Sequence, residues 1–275
     1  MTALDYSQWL GRQTESVDVL SEVLLSRIAA TLSEKTPGAG EAIPLLWHWC
    51  FFQDPVVQSE LREDGHPAGS SFLPPAEGRQ RMWAGSRIDF SGTLTAGAEA
   101  HRRSVIVAID MKQGRGASLL FVTVLHVYSQ HGKVVLREEQ DIVFREPSPP
   151  KLSSLPLPEI AHWREPVDPA PSLLFRYSAV TFNGHRIHYD WPYATEQEGY
   201  PGLVVHGPLI ATLVLRAFVR AQPLAKVLRF SFKGLRPLVT PGSFEVGGVV
   251  EQPGIAKVWA GSGDGIGQEG SVEFE

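Results

Sequence analysis

The chain of 275 residues holds a single cysteine, no long apolar run and no cluster of basic residues. One thiol, Cys50, rules out an intramolecular disulfide and a multi-cysteine zinc site. It lies in Leu45-Leu46-Trp47-His48-Trp49-Cys50-Phe51-Phe52, where a buried, inert thiol is expected. No apolar stretch approaches the ~18 residues of a membrane-spanning helix. The opening Met1-Thr2-Ala3-Leu4-Asp5-Tyr6 has neither the basic nor the apolar region of a secretory signal. A cytoplasmic protein with no membrane partner is therefore expected. Lys and Arg number 25 against 30 Asp and Glu, for a net charge of −5, which argues against a nucleic-acid partner. No Gly-x-Ser-x-Gly elbow and no His-Glu-x-x-His helix occurs, so serine-hydrolase and zincin signatures are missing. The glycine pieces Gly114-Arg115-Gly116 and 261–267 flank β-type sequence and open no helix, so a dinucleotide cofactor is not expected.

What is present is ordinary globular composition, 43% hydrophobic, in a length that holds one large or two small domains. Apolar residues from Val17 through Leu20, Val23, Leu24, Ile28 and Ala29 to Leu32 recur at three and four, predicting a helix over 14–32. Residues 53–82, rich in Gly, Pro and charge, read as a loop. Alternation then predicts strands over 82–90, 101–111, 117–128 and 133–144, the last two joined by a Gln130-His131-Gly132 turn. Pro147, Pro149, Pro150, Pro156, Pro158, Pro166, Pro169 and Pro171 make 147–172 a linker between halves 1–146 and 173–275. The second half predicts a strand at 173–179, a helix at 208–220, and strands at 227–233, 243–251, 255–260 and 271–274. Ile88-Asp89-Phe90-Ser91-Gly92 is echoed by Phe230-Ser231-Phe232-Lys233-Gly234. Together these patterns predict two copies of one α+β unit, with sheets joined side by side and ligands bound between them.

The densest polar cluster is Thr181-Phe182-Asn183-Gly184-His185-Arg186-Ile187-His188-Tyr189-Asp190, followed by Leu203-Val204-Val205-His206-Gly207-Pro208-Leu209. An imidazole takes and returns a proton near neutral pH, and an asparagine amide holds a water or carbonyl. Pro208 suits a first helical turn, and the free N–H groups there favour negative charge on a carbonyl oxygen. Gly207 permits close backbone approach. His206 reads either as support for the site or as a cap. A turn merely stabilised by Asn and His hydrogen bonds is the plainer alternative. His185, His188 and Asp190 lack a recognised ligand spacing, so no metal is expected.

These motifs resemble the MaoC-like hydratases, in the subgroup whose first half is a FAS1-like dehydratase domain. The resemblance implies an α+β double hotdog, two long central helices each wrapped by a curved antiparallel sheet, with the catalytic turn in the second half. It places His188 at the catalytic histidine, His185 at a usual Asn, Asn183 at a usual Asp, and Gly207 at the helix-start oxyanion contact. The implied site is catalytic Asn183, His188 and Gly207, with His185, Val205, His206 and Pro208 against substrate. The implied reaction is reversible hydration of an enoyl-CoA, a C5 dicarboxylic one such as itaconyl-CoA or mesaconyl-C4-CoA giving citramalyl-CoA. No cofactor is implied. Asn183 cannot act as an acid, so His188 would carry the base role, Asn183 would position water, and an Arg or His185 would face the free carboxylate. A straight-chain 3-hydroxyacyl-thioester dehydratase, a thioesterase and a silent acyl-CoA-binding module are the competing readings. A homodimer through remaining sheet edges is a further expectation.

Overall fold

The computed structural model describes residues 5–75, 78–113 and 118–275. Gly114, Gly116, Ala117 and the opening residues Met1–Leu4 lie outside them. The first half runs through β1 (Gln13–Val19), α1 (Glu22–Leu32), a 3-10 turn (Trp47–Cys50), β2 (Gln80–Phe90), β3 (Glu99–Gln113), β4 (Ser118–Gln130) and β5 (Lys133–Arg145). The second contains β6 (Trp163–Val167), α2 (Pro171–Val180), β7 (Leu203–Val204), α3 (Gly207–Ala221), β8 (Val227–Gly234), β9 (Val239–Thr240), β10 (Phe244–Gln252), β11 (Ile255–Ser262) and β12 (Gly265–Phe274).

Ten strands form one antiparallel sheet in the order β1-β3-β4-β5-β2-β8-β12-β11-β10-β6. Read from either edge the sequence of roles is the same, so a pseudo-twofold axis passes between β2 and β8. This is the predicted double hotdog, with joined sheets and two sheet-wrapped helical cores. The cores are unequal. In the second, α3 buries Leu209, Ile210, Leu213, Val214, Leu215 and Phe218 against β8 and β10 to β12. Each such side chain contributes roughly 1.5–3 kcal/mol. In the first, the buried turn Trp47–Cys50 lies against β4 and β5, through His48 on Tyr128 and Trp49 on Glu138.

That turn is anchored by a carboxylate. Glu138 on β5 is fully buried and accepts from Trp49 Nε1 at 3.1 and 3.0 Å, Ser86 Oγ at 2.9 Å and Gln140 Nε2 at 3.0 Å. His48 Nε2 lies 3.3 Å away. Burial acts to raise the Glu138 pKa, but the hydrogen bond and charge of His48, the charge of His126 and the Trp49 bond together hold the group below the usual carboxylate value.

Several expected elements differ. The helix over 14–32 is a strand followed by a helix: Ser21 caps α1, its Oγ accepting from Leu24 N, while 13–19 pairs with β3. The spacing from Val17 to Leu20 imitates helical period across that boundary. The strand at 173–179 is α2, begun by Pro171 and burying Leu174, Tyr177 and Ser178 at helical spacing. The 147–172 linker contains β6, which pairs with β10 at the sheet edge, where Pro166 is tolerated. The strand at 271–274 begins at Gly265, its alternation masked by glycines. No helix among the described residues is long and apolar enough to cross a membrane.

Replacing Glu138 by Ala leaves several buried donors unpaired. We expect E138A to lose about 3–5 kcal/mol of stability, read from urea denaturation. A loss below ~1 kcal/mol, the range of ordinary substitutions, would remove its anchoring role.

Candidate active site

The histidine turn begins where α2 ends. Asn183 N–H bonds the Ser178 carbonyl at 2.8 Å, and Asn183 Oδ1 accepts from His185 N–H at 3.0 Å. Its carbonyl side is thus committed to an Asx-type turn. A single 3-10 turn, Arg186–His188, follows. Arg186 holds Asp190 through Nε at 2.9 Å and Nη2 at 2.8 Å, and Asp190 Oδ1 also accepts from Tyr193 N–H at 3.2 Å. Asp190 is a strut of the turn.

His188 is the buried end of this turn. Its Nδ1 lies 2.7 Å from the Val204 carbonyl oxygen on β7. A carbonyl only accepts, so Nδ1 carries the proton and Nε2 is left with its lone pair. Burial pushes the His188 pKa down to about 3, and neighbouring His185 lowers it further than the Val204 bond restores. At neutral pH this imidazole is uncharged.

His206 sits beneath it. The two rings stack at 3.6 Å with an 18° angle, and His206 Nε2 shares a hydrogen bond with Ser178 Oγ at 2.8 Å. His206 is the residue before α3 but makes no side-chain cap, and its Nδ1 has no partner among the described residues. Burial, then His188, holds its pKa well below the usual value. Next comes Gly207, whose N–H is among the first of α3 and has no intrahelical acceptor. A Cβ there would meet open space, so the helix start is bare. Gln268 Nε2 on β12 donates to the Gly207 carbonyl at 3.1 Å, while buried Val205 donates its N–H to Leu238 at 2.8 Å.

The first half closes over the turn. Arg186 donates from its N–H to the Asp64 carbonyl at 2.9 Å and from Nη1 to the Glu63 carbonyl at 3.1 Å. Gly65, at φ +87°, approaches Gly184 so closely that a Cβ would overlap the Gly184 carbonyl oxygen. This brings the His66 ring to 4.1 Å from His185, itself 5.5 Å from His188. Asp64, His66 and His185 are the one set of candidate metal ligands among the described residues, with ligand atoms within 4.8 Å. Yet Arg62 Nη2 lies 2.6 Å from Asp64 Oδ2, which also meets His66 Nδ1 at 3.3 Å. That carboxylate oxygen already has a cation.

Asn183, His185, His188, Val205, His206, Gly207 and Pro208 all line one cavity of about 2480 Å³ whose walls come from both halves. His66, Arg62, Ser178 and Gln268 also line it; none was singled out from the sequence. Asp64-Gly65-His66 offered only a turn-type dipeptide with a histidine, inside a segment read as loop. The arrangement can take a proton from water at His188 Nε2 and stabilise an oxyanion at the α3 start.

Two outcomes test this geometry. Burial pushes His188 down to about 3 and His126 down to about 4 in the folded chain, against ~6.5 unfolded. The unfolded chain therefore binds more protons in that window, and stability falls as pH drops from ~6.5 by about 1.4 kcal/mol per pH unit per group. Urea midpoints should show this, and H188Q should remove its share of the slope; an unaltered slope would contradict the burial of a neutral His188. G65A should displace the loop from the turn and lower turnover by about 10-fold or more through misplacement alone. Wild-type turnover in G65A would show that the contact positions nothing.

A model of the family described as hydroxyacyl-thioester dehydratase type 2 matches residues 46–240. The mesaconyl-C(4)-CoA hydratase of Chloroflexus aurantiacus is 43% identical over 251 residues, 90% of this chain and 89% of that protein. The mitochondrial hydroxyacyl-thioester dehydratase type 2 of Schizosaccharomyces pombe is 30% identical over 257 residues, 80% and 84% of the two chains. In fold, the chain is similar to a Mycobacterium tuberculosis protein with a double hotdog fold, at TM-score 0.58, 14% identity and coverage of 97% and 96%. On sequence and architecture together, this chain belongs to the hydroxyacyl-thioester dehydratase type 2 family.

Proposed function

We propose a specific reaction for this hydro-lyase: reversible addition of water to a branched C5 dicarboxylic enoyl-CoA, with mesaconyl-C4-CoA as substrate and citramalyl-CoA as product. The observation that carries the reading is the bond from His188 Nδ1 to Val204, which fixes the tautomer and leaves the Nε2 lone pair free on an uncharged ring that lines the cavity. The substrate class is supported by the 43% identity to a protein named for mesaconyl-C(4)-CoA.

In this scheme the thioester carbonyl lies at the Gly207 N–H, where the α3 dipole favours the negative oxygen of an enolate. Water attacks the β-carbon and gives a proton to His188 Nε2 as the π electrons move to the carbonyl oxygen. The imidazolium then returns that proton to the α-carbon. One water is consumed, one C–O and one C–H bond form, and both additions come from the same face. The Asn183 amide steadies the attacking water from its Nδ2 side, since Oδ1 is held in the turn. Conjugation with the thioester is essential to the enolate step, and mesaconyl-C4-CoA has it. Itaconyl-CoA, with a terminal methylene, fits this step less well.

The test is incubation with mesaconyl-C4-CoA, itaconyl-CoA and crotonyl-CoA in parallel, with products read by mass. We expect gain of one water on the C5 substrate, reduced at least 100-fold in H188A. Hydration confined to crotonyl-CoA would favour a straight-chain enzyme, and free CoA a thioesterase.

A further inference from the structure

Mesaconyl-C4-CoA carries its free carboxylate on the carbon that water attacks, so a cation must stand within a few bonds of the reacting centre. His185 does not supply that charge, because burial and then His66 take its pKa down to about 3. Arg186 is spent on Asp190 and lies over the Tyr193 ring at 4.2 Å. Arg102 faces Asp54 at 3.8 Å.

Arg81 is different. It stands on β2 directly opposite Phe144 of β5, which stands opposite Leu120 of β4. Opposed residues share a sheet face, and Phe144 and Leu120 are both buried, so Arg81 occupies a core-facing position. Its side chain is nevertheless open, because that face borders the cavity that also holds His188 and Gly207. No carboxylate pairs with Arg81 among the described residues. The charge that acts on it is that of Arg62. An arginine with only another cation beside it lacks a counter-charge that a bound anion would provide.

Arg62 joins this position to the histidines. Its Nη1 reaches the Arg79 carbonyl at 3.4 Å, just ahead of β2 and two residues before Arg81, and its Nη2 holds Asp64. Asp64 meets His66, the His66 ring lies tilted against His185, and His185 adjoins His188. We propose that Arg81, backed by Arg62, is the specificity determinant that receives the free carboxylate of the dicarboxylic acyl group. The guanidinium fork pairs with both carboxylate oxygens and orients the β-carbon toward His188. This assignment rests on the hydration reaction proposed above.

The experiment measures kcat/KM for mesaconyl-C4-CoA and for crotonyl-CoA, which lacks the carboxylate, in wild type, R81Q and R81K. The ratio of the two constants should fall about 30-fold or more in R81Q, as when one member of a desolvated charge pair is removed. R81K should recover part of it. A ratio within about threefold of wild type overturns the assignment, and an equal loss on both substrates would move Arg81 to the CoA phosphates. Wild-type enzyme inert toward mesaconyl-C4-CoA would instead overturn the reaction itself, and the assignment with it.

Discussion

A backbone carbonyl decides what the central imidazole is. With Val204 O at 2.7 Å from His188 Nδ1, only one tautomer is compatible with the site, and burial keeps that ring neutral. Much of the surrounding architecture serves to keep that carbonyl and that ring in register. Val204 pairs with Val239, so β7 is held by β9, and Val205 is tied to Leu238. His188 ends a turn closed by Asn183 and by the Arg186–Asp190 ion pair. His206 stacks beneath it and is fixed by Ser178 from α2.

The pseudo-twofold symmetry makes the division between the halves informative. Both supply five strands to the sheet, and the second packs the 15-residue α3 against it. In the second half α3 provides a bare N-terminus beside the histidines. In the first, the corresponding space goes to Trp47–Cys50, held by Glu138. The first half contributes walls to the cavity, and a loop that touches the other half's turn. The cavity is bounded by both, so the site belongs to the duplicated fold rather than to either copy.

Much of this was legible in the sequence where the signal was local. Strands β2 to β5 alternate cleanly, and α3 announces itself by Gly207-Pro208 before an apolar run. His188 and Gly207 are 19 positions apart but flank one excursion of the chain, so their proximity could be read from the motif. Elements at boundaries were harder. Ser21 is an ordinary cap in sequence, yet it separates a strand from a helix whose apolar residues run on in one period. Prolines concealed β6 because an edge position forgives a missing N–H. Contacts such as Arg186 to Glu63, 123 positions apart, have no sequence signature at all. Arg81 looked like any of the scattered arginines until strand register put it on an inward face.

The meeting of Gly65 and Gly184 is backbone against backbone. A contact of this kind constrains where the loop lies while saying nothing about which side chains the loop displays. The loop's place is therefore set by its main chain, at Gly65 and through the Asp64 and Glu63 carbonyls that Arg186 bonds. The rim of the cavity on this side is thus seated by main chain, and its side chains are left to face the cavity.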